Sequence, residues 1–289
     1  MNKICVLGSM NMDLVLKVKD MPKVGETILS KSFQKIAGGK GANQAVAAKR
    51  SGAEVLMISK IGKDENGREL RDKLVEDNID VKYVFEDRIE PTGMALIMVN
   101  DNGNNSIIVN AGSNMTLTKE EIHSAENLIK ESDIIISQFE TPEDITIEAF
   151  KIAKENGKVT ILNPAPAKKI KDELLKYTDI IVPNETEAEL LTGIAIKDIE
   201  DAKKAGDIFL DKGVKFIIIT LGEKGAALIG KDFCEIVPAY RVNAIDTTAA
   251  GDSFIGGLSS KLDTKNLGRE TLSSSIRFGN KVSSIAVQR

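Results

Sequence analysis

The sequence contains one histidine and two cysteines among its 289 residues, and both scarcities exclude functions. His123 lies in the charged amphipathic segment TKEEIHSAENLIKES, which predicts a surface position. Histidine-based catalytic triads and zinc clusters are therefore not expected, and a general base has to be a carboxylate or a lysine. Cys5 and Cys234 lie in apolar runs and are predicted to be reduced core thiols of a cytoplasmic protein.

The chain also lacks a block of basic residues and a long apolar run. Its formal net charge is −4, so we predict no nucleic-acid-binding surface. The apolar runs are too short for a signal peptide or a membrane span. We therefore expect a cytoplasmic protein that binds neither nucleic acid nor membrane, and an anionic ligand would need a local site.

Six continuous runs rich in Ile and Val are typical of strands buried on both faces of a parallel sheet. Helical patterns separate these runs, and this alternation predicts right-handed βαβ units in an α/β fold with a mainly parallel central sheet. The strand runs cover 3–8, 54–62, 133–138, 159–163, 179–184 and 216–222. The helical patterns cover 43–51, 65–77, 118–131, 142–156, 185–192 and 198–212.

Two regions, 14–39 and 92–114, depart from this alternation. Each alternates apolar and polar residues with turn residues between the runs, as strands with one exposed face do. In the second region, residues 101–104 (DNGN) join ALIMVN to NSIIVN, which predicts a hairpin. We expect the two regions to form a small lid whose apolar face is covered by substrate, the core or a second subunit.

Polar or glycine-rich segments follow the predicted strands. Ligands of open α/β sheets bind beyond the carboxyl ends of the strands, so these segments together predict one site. Any one of them alone would be an ordinary loop. The segments are GSMNMD, QFE, NPAPA, PNETE and TLGEKG, with DTTAAGD later in the chain.

The segment AAGDSFIGGL places small residues and one acid at the start of an apolar helix. The amides of Ala249, Ala250, Gly251 and Asp252 would lie at the helix N-terminus, which stabilises phosphate groups. Asp252 has two interpretations: a helix N-cap, or a general base that takes a proton from a hydroxyl attacking phosphorus. The three small residues favour the second, because they leave room for a phosphoryl group.

The segment AGGKGANQAVAAKRSG places glycines before a helix of small residues, but it matches neither a P-loop nor G-x-G-x-x-G. It is interpreted as a loop whose backbone approaches a ligand, with Lys40 and Asn43 as polar contacts. The alternative is a glycine-rich turn that caps a buried helix.

Asn184 and Glu187 stand three residues apart at a predicted helix start and share a face. Their oxygens suit Mg²⁺, either directly or through water. A capping box fits the same spacing equally well, so the spacing does not separate the two.

GGKGANQAVAA and DTTAAGDSFIGGL resemble the two signatures of the ribokinase-like (PfkB) carbohydrate kinase family. SMNMD, NPAPA, PNETEAE and TLGEKG extend the likeness in order along the chain. The resemblance implies a ribokinase-like three-layer fold in a single α/β domain, residues 1–289, with a small β-sheet lid formed by about 14–39 and 92–114.

The resemblance also implies ATP-dependent phosphorylation of D-ribose at its 5-hydroxyl, which gives D-ribose 5-phosphate and ADP. Two alternatives stay open. One is a sibling sugar or nucleoside kinase acting on deoxyribose, fructose or adenosine. The other is a non-catalytic sugar- or nucleotide-binding protein.

Roles for single residues follow from the same resemblance. Asp252 matches the catalytic base that deprotonates the primary hydroxyl of the sugar. Ala249, Ala250 and Gly251 match the anion hole for the transferred phosphoryl group. The sugar-binding positions are Asn11, Asp13, Gly39, Lys40, Asn43 and Glu140. The nucleotide-binding positions are Asn184, Thr220, Gly222, Gly225 and Asn280.

The ions that the resemblance implies are Mg²⁺, tied to Asn184 and Glu187, and potassium as an activator. Family members usually continue with a Gly-containing loop and a last helix, so this C-terminal segment, with further cation ligands, is expected to be missing after residue 289. The lid implies a homodimer. The monovalent-cation positions, partly through backbone carbonyls, are Asp246, Thr248, Ala286 and Arg289.

Overall fold

The computed structural model describes residues 1–288, and Arg289 lies outside the described residues. Thirteen strands in this part of the chain divide between two sheets. They are β1 (Lys3–Leu7), β2 (Asn11–Lys17), β3 (Ser32–Gly38), β4 (Glu54–Gly62), β5 (Asp80–Asp87), β6 (Gly93–Val99), β7 (Asn105–Asn110), β8 (Ile134–Ser137), β9 (Val159–Leu162), β10 (Ile180–Ile181), β11 (Phe216–Thr220), β12 (Ala226–Gly230) and β13 (Phe233–Val237).

The α-helices follow most of the predicted helical patterns closely. One difference is the pattern over 118–131, which forms two short helices that meet at Ala125. The helices are α1 (Lys40–Arg50), α2 (Glu65–Glu76), α3 (Lys119–Ser124), α4 (Glu126–Glu131), α5 (Glu143–Glu155), α6 (Asp172–Lys176), α7 (Glu185–Thr192), α8 (Ile199–Asp211), α9 (Ala250–Ser260) and α10 (Arg269–Ala286).

The large sheet has the strand order β13-β12-β11-β10-β9-β8-β1-β4-β5. Its seven strands from β11 to β5 are parallel to their neighbours, and β12 and β13 extend the sheet as an antiparallel edge. All six predicted strand runs lie in the parallel part, so the predicted α/β fold with a mainly parallel sheet is confirmed. The carboxyl ends of the parallel strands lie together at one end of the sheet, which we call the carboxyl edge, and their amino ends lie at the amino edge. Both names refer to strand ends and not to the outermost strands β5 and β13.

Alternate residues of each central strand pack into cores on opposite faces of the sheet. In β1, Cys5 and Leu7 join the core beneath α3 to α8, whereas Ile4 and Val6 join the core beneath α1, α2, α9 and α10. Burial of apolar surface on both faces is what stabilises a parallel sheet. Helices on both faces give the predicted three layers.

The second sheet is small and has the order β3-β2-β6-β7. Its central pair, β2 and β6, is parallel, and the two outer pairs are antiparallel. The predicted hairpin appears as β6 and β7 with the turn at residues 101–104. Strand β2 starts at Asn11, three residues before the predicted region begins, so Asn11 and Asp13 lie on a strand and not in a loop.

The scarce residues occupy unremarkable positions. Cys5 is buried and Cys234 is half-buried on the edge strand β13, so only Cys5 is a core thiol as predicted. The side chain of His123 is 52% exposed, in agreement with the predicted surface position. None of the helices within residues 1–288 is both long and apolar enough to span a bilayer.

Candidate active site

A cavity of about 180 Å³ lies at the carboxyl edge of the large sheet, where residues distant in sequence meet. Its walls come from the start of α1, from the segments after β9 and β10, from the end of β11 and from the start of α9. Eight of the predicted site residues line it: Lys40, Asn184, Glu187, Thr220, Ala249, Ala250, Gly251 and Asp252.

Helix α9 begins at this cavity with unpaired amides. Its N-cap is Ala249, whose φ of 55° and ψ of 16° lie in the left-handed region. The Ala250 N–H donates to the Thr247 carbonyl (3.2 Å), but the amides of Gly251 and Asp252 donate no hydrogen bond to any group in residues 1–288. Two free amides at a helix N-terminus form an anion-binding arrangement.

Asp252 is the third residue of α9, so the N-cap interpretation of this acid is wrong. Its carboxylate accepts hydrogen bonds from two side-chain amides, Gln44 to Oδ1 (2.9 Å) and Asn43 to Oδ2 (3.2 Å). Burial raises the pKa of Asp252 to about 6, against the charge of Lys40 and the two amide donors, which lower it. A carboxylate with a pKa near neutrality and open to a cavity is suited to proton transfer.

Small residues allow α1 and α9 to approach each other closely. A Cβ at Gly256 would lie 2.6 Å from the Cβ of Ala47, and one at Gly41 would lie 2.6 Å from the backbone of Gly8. Larger side chains at either glycine would push α1 away from α9 or from the end of β1. The glycines and alanines of the two motifs therefore place Asn43 and Gln44 against the acid of α9.

The predicted sugar-binding residues gather where the small sheet meets α1. Strand β2 pairs with β3 so that Asn11 lies opposite Gly38, and Asp13 is packed against the same glycine. Glu140, after β8, accepts hydrogen bonds from the Ser9 hydroxyl and from the Lys40 N–H (3.1 Å).

Asp13 has an unusual pKa in this group. Burial, followed by the charge of Glu140, raises the pKa of Asp13 to about 6. Asp13 is therefore a second aspartate with a raised pKa, in addition to Asp252, at the carboxyl edge.

Asn11 is held in one orientation by the buried residue Asn114. The Oδ1 of Asn114 accepts from the Met10 N–H (2.9 Å), so its Nδ2 faces Asn11 and donates to the Asn11 Oδ1 (2.8 Å). Because this bond uses the Asn11 oxygen, the Asn11 side chain offers a ligand its N–H groups. Such an arrangement recognises an acceptor such as a sugar oxygen.

Asn184 and Glu187 form the capping box that their spacing allowed. Asn184 Oδ1 accepts from the Glu187 N–H (2.7 Å), and Glu187 Oε2 accepts from the Asn184 N–H (2.9 Å). Both residues nevertheless line the cavity. Burial raises the pKa of Glu187 above its usual value, although the Asn184 N–H and the charge of Lys40 act in the opposite direction. The capping box therefore holds Glu187 beside the cavity and leaves its Oε1 for another partner.

The predicted nucleotide-binding residues do not all meet at this cavity. Thr220 lines it, but Gly222 and Gly225 lie in the turn between β11 and β12, with φ angles of 55° and 106°. A Cβ at Gly225 would overlap the Val237 carbonyl, so this glycine is required by packing as well as by conformation. Asn280 of α10 donates to the carbonyls of Val237 (3.1 Å) and Pro238 (3.0 Å).

The predicted monovalent-cation residues lie near the end of α10. Asp246 accepts from the Thr248 N–H (2.8 Å), and hydrogen bonds from Thr248 hold the pKa of Asp246 below its usual range. The Asp246 N–H donates to the carbonyl of Val287 (3.2 Å), the residue after Ala286. Arg289, the fourth predicted position, lies outside the described residues.

The profile of the pfkB family carbohydrate kinases matches residues 1–289 of this sequence. The chain belongs to the pfkB family of carbohydrate kinases. The family resemblance stated from the motifs is thereby confirmed.

Curated relatives and solved structures agree with this membership. A ribokinase of Staphylococcus aureus (strain COL) is 45% identical over 293 residues, which cover 100% of this chain and 94% of the relative. A deoxyribokinase of Salmonella typhi is 40% identical over 256 residues, which cover 88% of this chain and 83% of the relative. The structure of Arabidopsis thaliana ribokinase complexed with ribose and ATP has a TM-score of 0.91 at 30% identity and covers 100% of this chain and 93% of the other.

Sequence reasoning missed several pfkB-site residues that the fold brings to Asp252. Gln44 donates to Asp252 and to the Asn163 Oδ1 (3.1 Å), and it accepts from Gln138 (2.8 Å). Ser9 links Glu140 to the N–H of Gly41 (3.3 Å). A usable signal existed for all four: Gln44 lies inside the first signature, and Ser9, Gln138 and Asn163 lie in the polar segments GSMNMD, QFE and NPAPA at the ends of predicted strands.

Proposed function

We propose that this pfkB-family protein transfers the γ-phosphoryl group of ATP to the 5-hydroxyl of D-ribose, giving D-ribose 5-phosphate and ADP. The observation that carries the proposal is Asp252, a buried carboxylate beside the free amides at the start of α9. The hydroxyl oxygen attacks the γ-phosphorus as its proton passes to Asp252, and the bond from phosphorus to the bridging oxygen of ADP breaks. The pKa of about 6 leaves Asp252 mostly ionised at neutral pH and ready to accept this proton.

The anion hole in this proposal lies at Ala249, Ala250 and Gly251, but its free donors are the amides of Gly251 and Asp252, because the Ala250 N–H is bound to the Thr247 carbonyl. The amides of Gly251 and Asp252 are free to donate, and a Cβ at Gly251 would meet nothing within 4 Å, so that face is open to a phosphoryl group. Donors fixed before the reaction stabilise negative charge on the phosphoryl oxygens at no cost of reorganisation.

We assign the sugar to the group of polar residues between the small sheet and α1. Asn11 offers N–H donors, Asp13 and Glu140 offer carboxylate acceptors, and a ligand rich in hydroxyls needs both. The sugar-binding set is Asn11, Asp13, Gly39, Lys40, Asn43 and Glu140.

ATP is assigned to the remaining side of the cavity. Thr220 lines the cavity, and the turn that contains Gly222 and Gly225 follows it directly in the chain. Asn280 holds Val237 and Pro238 through hydrogen bonds to their carbonyls. In this proposal ATP lies on the opposite side of that segment from Asn280. The nucleotide-binding set is Asn184, Thr220, Gly222, Gly225 and Asn280.

Mg²⁺ fits beside Asn184 and Glu187. No group of three or more His, Cys, Asp or Glu side chains in residues 1–288 is arranged to hold a metal, so the ion would rely on ATP phosphates and water for most of its ligands. Glu187 keeps one carboxylate oxygen outside the capping box for this purpose. When bound, Mg²⁺ neutralises charge on the transferred phosphoryl group.

Potassium is proposed to bind at the loop of Asp246 and Thr248, with backbone carbonyls near Ala286 and Arg289. The hydrogen bonds from Thr248 that lower the pKa of Asp246 favour its charged form, which attracts a cation. A bound cation there would order the loop that leads into α9, and it would act on turnover through the anion hole.

We further propose one cytoplasmic domain, residues 1–289, with the small sheet as a lid and as a homodimer contact. The free thiols Cys5 and Cys234 support a reducing compartment. Several apolar side chains are about half exposed on the two faces of the small sheet, and a partner subunit would cover those on one face. They are Phe33 (55%), Ile36 (47%), Ile107 (52%), Ile108 (62%) and Val109 (54%).

Phosphorylation of 2-deoxyribose is a second candidate, because a deoxyribokinase shares 40% identity with 88% of this chain. The contacts of Asn11, Asp13 and Glu140 favour a sugar with its full set of hydroxyls. The two sugars differ in one hydroxyl, so the ratio of kcat/KM between them decides between the candidates.

The test is ADP release from Mg·ATP with D-ribose, 2-deoxyribose, fructose and adenosine, each with and without potassium. We expect ribose to give the highest kcat/KM and potassium to raise the rate. A higher kcat/KM with deoxyribose would assign the second candidate. A folded protein that binds ribose but releases no ADP would contradict the kinase proposal and indicate a sugar-binding protein.

A further inference from the structure

A chain of buried side-chain amides runs behind the wall of the cavity and ends on Asp252. Gln44 is at its centre and is fully buried. Its Nε2 donates to Asp252 Oδ1 (2.9 Å) and to Asn163 Oδ1 (3.1 Å), and its Oε1 accepts from Gln138 Nε2 (2.8 Å). All of the main hydrogen-bonding capacity of this amide is therefore used.

The direction of these hydrogen bonds is fixed by the backbone. Asn163 Nδ2 donates to the Val182 carbonyl (3.0 Å), so Asn163 Oδ1 faces Gln44 and has to accept. Only the NH₂ group of Gln44 can donate to two acceptors at once. Gln44 therefore presents a donor to Asp252, and rotating its amide would break three hydrogen bonds together.

The two donors to Asp252 differ in how firmly they are held. Asn43 is half-buried and donates to Oδ2 over 3.2 Å. Gln44 is fixed by two further buried residues, and its shorter bond goes to Oδ1. Oδ1 is held by the more firmly fixed and closer donor, so Oδ2, whose one donor Asn43 is half-buried, is the oxygen more available to a ligand.

We propose that Gln44 is a positioning residue for Asp252, whose amide fixes the rotation of the carboxylate so that Oδ2 meets the attacking hydroxyl. The inference rests on the proposed role of Asp252 as general base. A neutral donor suits this task, because a lysine or arginine in its place would bind the proton-accepting carboxylate as an ion pair and weaken it as a base.

The first test is Gln44→Met, which keeps the volume of the side chain and removes the donor. Loss of a hydrogen bond to a charged group is expected to lower kcat by about 10- to 100-fold. KM for ribose should change little, because Gln44 does not line the cavity. A role confined to folding would lower the amount of folded protein without changing kcat per folded molecule.

The pH profile of kcat is the readout that a structural role would not move. The Gln44 hydrogen bond lowers the pKa of Asp252, so its removal raises that pKa and shifts the acid limb to higher pH. The charged groups whose fields act on the same carboxylate, Lys40, Glu140 and Glu187, are unchanged in the variant. Gln44→Glu, which replaces the donor by an acceptor of equal size, should shift the limb in the same direction.

Thr146→Val is the matched control. The Thr146 hydroxyl is buried in a side-chain pair with Ser137 (3.0 Å) beneath the same edge and does not contact Asp252. We expect its kcat and acid limb to match the parent. If Gln44→Met does not fold, Gln138→Met, which removes the bond that orients Gln44, should show a smaller shift of the same sign.

The outcomes separate this inference from the proposed function. Parental kcat and an unmoved acid limb in the Gln44 variants, with Asp252→Asn inactive, would overturn the positioning role alone. Near-normal turnover in Asp252→Asn would overturn the assignment of the base, and the positioning role with it.

Discussion

At the amino edge of the large sheet Asp179 contacts two lysines, whereas at the carboxyl edge Asp252 contacts two neutral amides. Lys154 and Lys215 lie 2.5 Å and 2.9 Å from Asp179 Oδ1. Burial raises the pKa of Asp179, but the two lysines outweigh it and the pKa is lowered. At Asp252 burial prevails, and the pKa is raised to about 6.

The difference shows how partners, and not burial, decide what a buried acid can do. Asp179 also accepts from the Thr160 N–H (3.1 Å), so it ties β9 to the start of β10 and has no capacity left for a ligand. Asp252 keeps a carboxylate oxygen towards a cavity and remains basic enough to take a proton. We therefore assign Asp179 a role in stabilising the fold and Asp252 a role in proton transfer.

The largest expected effect is that of Asp252→Asn on turnover. Loss of a general base typically lowers kcat by about 10²–10⁴. Ribose binding, measured by calorimetry, should stay close to that of the parent, because the sugar-binding residues are unchanged. A variant with kcat within about threefold of the parent would contradict the base assignment.

The thermal stability of Asp252→Asn, unlike its turnover, should not decrease. A folded-state pKa above the usual value means that Asp252 stabilises the fold below the unfolded pKa of 3.8, and this contribution is lost as the pH rises through about 6. At pH 7.5 the charged acid therefore costs stability. We expect the thermal midpoint of Asp252→Asn at that pH to equal or exceed the parental value.

Asp179→Asn is expected to have the opposite effects: a lower stability and an unchanged turnover. It removes the buried charge that two partly exposed lysines share, which should lower the free energy of unfolding by about 2 kcal/mol, the scale of a hydrogen bond to a charged group. Turnover per folded molecule should be unchanged, because Asp179 lies at the edge remote from the cavity. Denaturant titration and active-site titration of the soluble fraction measure the two quantities.

The contribution of Asp179 to stability should also depend on pH in the opposite sense from that of Asp252. The lowered pKa of Asp179 means that its contribution is present above the unfolded pKa and is lost as the pH falls through the folded pKa. Asp179→Asn should therefore lose less stability on acidification than the parent. Asp144→Asn, which breaks an exposed pair with Lys171, serves as the control and should change stability little.

The sequence was sufficient to predict the parallel sheet and the acid of α9, because these depend on contiguous patterns. Continuous apolar runs predict central strands, and an acid after small residues predicts a helix N-terminus that can bind an anion. Strands β5 and β13 escaped prediction because they are the outermost strands of the sheet, where one side of a strand is unpaired and the apolar run is interrupted. Strand β12 is buried and paired on both sides, but its run AALIG is short and begins with two alanines.

The supporting contacts of the site escaped prediction for a different reason. Gln138 and Asn163 reach Gln44 across 94 and 119 residues of chain, and Asn114 reaches Asn11 across 103. No local pattern records which amide will face which carboxylate. The pair of Asp179 with its lysines is likewise a product of the fold, since nothing in its spacing distinguishes it from surface charges.

The smallest expected effect concerns the backbone of the carboxyl edge. Ala249 adopts a φ of 55°, which costs a non-glycine residue about 1 kcal/mol, whereas Ala250 is helical. Ala249→Gly relieves this strain and offsets the greater freedom of glycine in the unfolded chain, while Ala250→Gly only weakens the helix. We expect Ala249→Gly to be the more stable of the two by about 1 kcal/mol in denaturant titration. Equal destabilisation by both would mean that the anion hole holds no backbone strain, and that the two edges of the sheet differ only in the partners of their acids.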